Sequence, residues 1–148
     1  MRLGRVVVAV VAAGLVGACS RPVATTPPPP PDVQEIVILW GQIRQWRHEA
    51  RMDVEPAAAS VLAMRFKTVG VAASACPDGH QVPPACNEIC DPADAICDNA
   101  ERICRLSGEL GDTPWASWAR EKCDNAKGSC REAKQRCCAC ERRAEVGP

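Results

Sequence analysis

Eleven of the 148 residues are cysteine, and no other residue type in the chain offers as much chemistry. Thiols at this density either pair as disulfides or hold a soft metal, and the redox compartment decides which. Six of them are regularly placed: Cys90, Cys97 and Cys104 are seven residues apart, and so are Cys123, Cys130 and Cys137. Seven residues make almost two turns of α-helix, so each trio lies along one stripe of a helix. Between the trios, Gly111 suits the end of one helix, Asp112 or Thr113 can cap the next, and Pro114 suits its first turn. The spacing predicts an antiparallel helical hairpin in which Cys90 pairs with Cys137, Cys97 with Cys130 and Cys104 with Cys123. Equal spacing gives the three pairs one common midpoint automatically. The independent fact is that this midpoint falls between Thr113 and Pro114, inside the turn that glycine and proline mark.

Packing points the same way. Ala93, Ala100, Ser107, Ala126 and Ala133 each follow one of these cysteines by three residues. Cysteine and small residues thus fill the a and d positions of a heptad seam. A disulfide needs Cα atoms roughly 4.4 to 6.8 Å apart, an approach that a seam of leucine would oppose. The innermost bridge closes a loop of about 19 residues and stabilises by roughly 3 kcal/mol in the chain-entropy view, with the outer bridges adding less. Ile89, Ile96 and Ile103 precede the first trio, whereas Lys122, Ser129 and Arg136 precede the second. Only the first hairpin helix therefore offers a further apolar face. Cys76, Cys86, Cys138 and Cys140 fall near the open end. Two more bridges between Cys76 or Cys86 and Cys138 or Cys140 are expected, with Cys86–Cys140 favoured and Cys76–Cys138 as its complement.

Other chemistries are weaker. The cluster Cys137, Cys138, Cys140 with Cys76, Cys86 and His80 contains soft ligands suited to copper(I) or zinc, but lacks a two-by-two ligand spacing. An even number of cysteines beyond Cys19 favours disulfides, so no metal site and no cofactor are expected. Thiol exchange would need an exposed, activated thiolate, and neither His48 nor His80 adjoins a nucleophile motif or a phosphate-binding loop. The expectation is a protein that is not an enzyme.

These residues need elements to hold them. Ile36, Leu39, Trp40, Ile43 and Trp46 recur at helical spacing and predict a helix from about Val33 to Met52, with Asp32 and Glu35 as a capping box. Arg44, Arg47, His48, Glu49 and Arg51 are assigned to its solvent side. Pro56 ends it, and a weaker helical pattern follows in residues 57–66, with Val61, Met64 and Phe66 turned inward. Residues 67–75 carry no clear pattern, and the segment from Cys76 to Pro84 reads as a loop. Trp115 and Trp118 are expected to cap the turn end of the core. Arg120, Lys122, Lys127, Arg131, Lys134 and Arg136 form a polar face that an acidic partner could meet, although Glu121, Asp124 and Glu132 interleave it.

The N-terminus has the layout of an export signal: Arg2 and Arg5, an apolar run from Val6 to Val16, then small residues. The run is shorter than the about 20 residues a span requires. Leu15-Val16-Gly17-Ala18-Cys19 resembles the bacterial lipobox, with Val16 where the pattern prefers leucine. The resemblance implies cleavage before Cys19, diacylglycerol on its sulfur and N-acylation, an anchor of several chains. Ser20 in place of aspartate leans towards the outer membrane. Residues 20–31, with five consecutive prolines, form a tether of polyproline II type at about 3.1 Å per residue, roughly 35 Å in all. Removing the leader takes away Arg2 and Arg5 and no acid, so a chain of formal charge zero becomes one of about −2, unlike a general nucleic-acid binder.

The paired helices also resemble the coiled-coil-helix hairpins of mitochondrial proteins, which use nine residues between cysteines where this chain has six. The run ICDNAERIC with CREAKQRCC is similar to small Cys-rich envelope lipoproteins. Neither likeness lends an activity. The expected organisation is a signal peptide (1–18), a lipidated cysteine and tether (19–31), an N-terminal helical segment (32–75), a Cys-rich hairpin (76–141, its laddered part about 86–140) and a disordered tail (142–148). The fold class is all-α, a disulfide-laddered hairpin with one or two N-terminal helices packed on it. The expected role is a membrane-anchored, non-catalytic envelope lipoprotein, a binding or scaffold module with an envelope protein partner and no nucleic acid. The alternative is a periplasmic or surface lipoprotein binding copper or zinc.

Overall fold

A computed structural model describes residues 28–76 and 82–146 of the chain. Five α-helices are present among them: α1 Pro31–Glu49, α2 Ala58–Met64, α3 Val69–Ala73, α4 Asn87–Glu109 and α5 Ala116–Val146, with a single 3₁₀ turn, Pro84–Cys86, leading into α4. The architecture is all-α. The long helices α4 and α5 form an antiparallel pair cross-linked by disulfides, and the three shorter helices pack on it. Among the described residues no helix is long and apolar enough to cross a membrane.

The hairpin turns where glycine allows it. Gly111 sits just past the end of α4 with φ 52°, a left-handed conformation in which glycine carries no Cβ penalty. Thr113 N–H donates to the Leu110 carbonyl at 3.2 Å, Ala116 N–H donates to the Thr113 carbonyl at 3.0 Å, and α5 begins two residues after Pro114. Along the seam Ala93, Ala100, Ser107, Ala126 and Ala133 are all buried. Their small side chains bring the helix backbones within bridging distance. The helix α5 continues to Val146, beyond the 141 boundary at which the composition suggested a tail.

The isoleucine stripe of α4 is the second layer of the core. Ile96 and Ile103 are fully buried, and α1 covers them with Val33, Ile36, Trp40 and Ile43. The helix α1 runs from Pro31 to Glu49, two residues earlier at its start and three earlier at its end than the spacing predicts. The capping box does not form: Pro30 is the N-cap, Pro31 occupies the first turn, and no side chain caps the end. Glu35 instead accepts two hydrogen bonds from Arg102 on α4, at 2.5 and 2.8 Å. Asn99 on α4 donates to Gln42 at 2.8 Å.

Arg47 overturns its assignment to the solvent side. It is 1% exposed and is the largest fully buried side chain among the described residues. Its Nε donates to the Asp53 carbonyl at 2.8 Å, and its Nη2 to the Glu55 carbonyl at 3.1 Å and to Glu132 at 2.8 Å. Three acceptors compensate most of the desolvation of this charge, which burial otherwise opposes.

The seven-residue helix α2 lies against α5, which supplies partners at both of its ends. Glu132 accepts from Ala57 N–H, at the α2 N-terminus, at 2.8 Å. Lys127 Nζ donates to the carbonyls of Arg65 and Lys67, at the C-terminus, at 2.9 and 3.3 Å. An acid at the positive end and a base at the negative end both suit the helix dipole. Between them Gly128 is buried, and a Cβ there would lie 3.2 Å from the Val61 backbone nitrogen and 3.3 Å from its Cα. Met64 turns inward, but Phe66 does not. It follows the end of α2 and is 92% exposed. The patternless stretch 67–75 contains α3, capped by Thr68, whose Oγ1 accepts from Val71 N–H at 3.3 Å.

Candidate functional site

The ten cysteines from Cys76 to Cys140 form five disulfides. Three join α4 to α5: Cys104–Cys123, Cys97–Cys130 and Cys90–Cys137, with Cα separations of 4.6, 4.7 and 4.9 Å. Cys86, at the end of the 3₁₀ turn, is bonded to Cys140 at 6.0 Å, and Cys76, three residues after α3, to Cys138 at 5.5 Å. Consecutive residues on a helix point about 100° apart. That is how Cys137 reaches α4 while its neighbour Cys138 reaches the segment after α3. A ladder of this kind is built and kept in an oxidising, extracytoplasmic compartment.

The five bridges differ in exposure. Cys86, Cys90, Cys97, Cys130, Cys137 and Cys138 are buried, so four of the bridges have at least one half enclosed. In Cys104–Cys123 both halves are only partly buried. This bridge lies in a groove of about 930 Å³ near the turn end, between α2 and the hairpin. Phe66 and Val61 form its apolar side, and Ser107 and Gly108 on α4 face Asn125 on α5. The groove carries three basic side chains, Arg65, Arg120 and Lys127, and three acidic ones, Asp112, Glu121 and Asp124. Asp124 pairs with Lys127 at 2.8 Å and more loosely with Arg65 at 3.8 Å. The sequence pattern did not single out Phe66 or Arg65 for this place, because the groove is made by the return of α2 along α5.

At the other end of the hairpin the setting is different. The buried carboxylate of Glu141 lies 3.4 Å from the Cys137 sulfur and 3.8 Å from that of Cys90. With the sulfurs of Cys76 and Cys137 it forms a cluster within 4.8 Å, the arrangement a soft cation would use. Both sulfurs are engaged in disulfides, so neither is a thiolate. Glu141 falls four residues after Cys137, on the same stripe, which is the signal that would have found it. Of the other residues considered as ligands, Cys86, Cys138 and Cys140 are also bridged, and His80 lies outside the described residues. Cys19 lies outside them as well.

The basic face of α5 is largely spoken for. Lys127 is buried, held by Asp124 and by the carbonyls of Arg65 and Lys67 just past α2, Lys134 pairs with Asp94, and Arg136 donates to the Arg51 carbonyl at 3.1 Å. Lys122 sits 5.7 Å from the centre of the Trp40 ring and 3.3 Å from Glu121. These side chains join α5 to its neighbours. Arg120 and Arg131 remain on or near the surface. Trp115 and Trp118 meet edge to face at 6.1 Å at the turn, with Trp115 exposed and Trp118 half-buried.

Compared with protein-family models, with curated proteins and with solved structures, the chain matches none. The class is therefore defined by the fold alone: a Cys-rich, all-helical domain with five disulfides.

Proposed function

We propose that this chain is a membrane-anchored envelope lipoprotein whose folded part serves as a non-catalytic, disulfide-stabilised binding or scaffold module. The observation that carries the reading is the ladder: five bridges fix the hairpin and tie the segments before it to α5. Such a domain withstands an oxidising space outside the cytoplasm without needing a large apolar core. The lipobox-like Leu15–Cys19 and the proline tether supply the anchor, and the partner is a protein of the same compartment.

The test is the mass of the exported protein, native and reduced, with its distribution between membrane and soluble fractions. The reading expects an N-terminal acylated Cys19, a gain of ten hydrogens on reduction, two for each of five bridges, and release from the membrane on Cys19→Ser. A soluble wild-type protein beginning elsewhere overturns the anchor. A second reading, a copper- or zinc-binding lipoprotein, draws on the cluster of Cys76, Cys137 and Glu141. It requires two bridges to be open, so free thiols with stoichiometric metal in the same sample would replace the first reading with this one.

A further inference from the structure

We infer that the Cys104–Cys123 bridge is a site of thiol–disulfide exchange, addressed through the groove beneath Phe66 by a peptide or protein segment carrying two cysteines. The inference does not rest on the lipid anchor and holds whether or not Cys19 is acylated.

Three observations converge on this bridge. Exchange requires a thiolate to reach a sulfur, and this is the one disulfide of the five with neither half buried. It also lies in an open groove of about 930 Å³, wide enough for an extended segment. Phe66, 92% exposed at the edge of that groove, offers an apolar contact that a peptide can use and a small thiol cannot.

The two ends of the ladder differ in access. At the open end both halves of Cys90–Cys137 are buried, with the Glu141 side chain packed 3.4 Å from the Cys137 sulfur. In the groove three basic side chains stand against three acidic ones, so the approach carries no net repulsion. The fold can also tolerate the opening. With Cys104–Cys123 reduced, Cys97–Cys130 and Cys90–Cys137 still hold α4 to α5, and Ile103, Leu106 and Ala119 keep the turn end packed.

The step balances without another reactant. A partner thiolate attacks one sulfur of the bridge, forming a mixed disulfide and releasing the other cysteine as a thiolate. The second thiol of the partner then attacks the partner's own sulfur in that mixed disulfide. The partner leaves as a disulfide, and Cys104 and Cys123 are left as two thiols. Two electrons and two protons have passed to the protein, and exchange with another disulfide reverses the process.

The test uses the exported, oxidised protein under native conditions, with reduced glutathione and with a synthetic peptide bearing two cysteines flanked by apolar residues. Thiols formed over time are trapped with iodoacetamide and mapped by mass, while circular dichroism follows the helices. The expected result is that the first two alkylated residues are Cys104 and Cys123, formed about tenfold faster than any other pair, with helicity unchanged. Phe66→Asp is expected to slow the peptide severalfold and leave glutathione unaffected. Opening of a different bridge first, or loss of all five together with the helices, overturns the inference. Equal peptide rates for Phe66→Asp and the wild type overturn the groove as the docking route.

Discussion

The guanidinium of Arg47 on α1 and the carboxylate of Glu132 on α5 meet at 2.8 Å across 85 residues of sequence, with the arginine fully buried and the glutamate partly so. Glu132 is shared: its second oxygen holds the start of α2 through Ala57 N–H. One carboxylate thus fixes the mutual placement of three helices. Removing one partner of such a pair strands the other in low dielectric, which costs more than the pair itself contributes. Glu132→Gln is expected to destabilise the oxidised protein by about 3 kcal/mol in guanidinium unfolding. The double variant Arg47→Met with Glu132→Met should recover a large part of that loss. Equal destabilisation in the single and double variants would show that the charge is not what matters.

A second ion pair answers to pH. The hydrogen bonds from Arg102 hold the Glu35 carboxyl below its ordinary value of 4.5, with the Arg102 and Arg105 charges adding to them and desolvation opposing. The folded value is the lower one, so the contribution is present above the unfolded pKa. It is lost as pH falls through the folded value. The expected outcome is that wild type and Glu35→Gln differ in thermal midpoint at neutral pH and converge in acid as pH falls through the lowered folded value. A difference that persists in acid would assign the effect to packing. The pair is solvent-exposed, so the neutral-pH difference should also shrink in high salt.

The Cys76–Cys138 bridge makes a local prediction. It is the covalent tie between the segment after α3 and the hairpin, whereas three other bridges join α4 to α5 directly. Replacing both cysteines with serine is expected to raise hydrogen exchange in residues 69–76 and leave the amides of α4 and α5 protected, since stability is distributed in cooperative units. Loss of protection along the whole hairpin would mean that the outer bridge supports the ladder as a unit.

The close approach at Gly128 is equally specific. A Cβ there meets the backbone of Val61 at 3.2 and 3.3 Å, and backbone cannot swing aside as a side-chain end can. Gly128→Val is expected to push α2 off α5 and destabilise by about 2 kcal/mol, as overpacking does. Gly108, on α4, has open space around its Cβ position. Gly108→Ala should stabilise by up to about 1 kcal/mol through helix propensity alone. The pair of variants, read by guanidinium unfolding, separates contact from propensity.

The parts of this fold that were legible in the sequence are those whose constraint is local and periodic. Heptad spacing of cysteine and alanine fixes both the helices and their register, and Gly111 marks the turn. The parts that were not legible depend on partners far along the chain. Asp32 and Glu35 have the spacing of a capping box, but Pro30 and Pro31 occupy the helix start and Arg102 takes the glutamate. Arg47 was misplaced because of its charge. Its position, following Val33, Ile36, Trp40 and Ile43 at steps of three and four, continues the buried stripe, and its acceptors come from the loop after α1 and from α5. The groove is less visible still, since it exists only because α2 returns antiparallel to α5. No periodicity in residues 57–66 records which way that segment runs.

Ser129 supplies a prediction of opposite sign. It occupies on α5 the position equivalent to the isoleucine stripe of α4, just before Cys130, and is fully buried. Its hydroxyl makes no hydrogen bond. A buried hydroxyl without a partner has lost its water and gained nothing in return, a cost of about 1 kcal/mol or more. Alanine removes that cost, fits the same space with one atom fewer and has the better helix propensity. Ser129→Ala is therefore expected to stabilise the oxidised protein by about 1 kcal/mol, read as a higher guanidinium midpoint with an unchanged slope. Ser107, the other buried serine of the hairpin, lines the open groove, where its hydroxyl can reach water, and is the control. Its replacement by alanine should be neutral or destabilising. A destabilised Ser129→Ala would mean that the hydroxyl finds a partner in solution, and a bound water between α5 and its neighbours would be the first place to look.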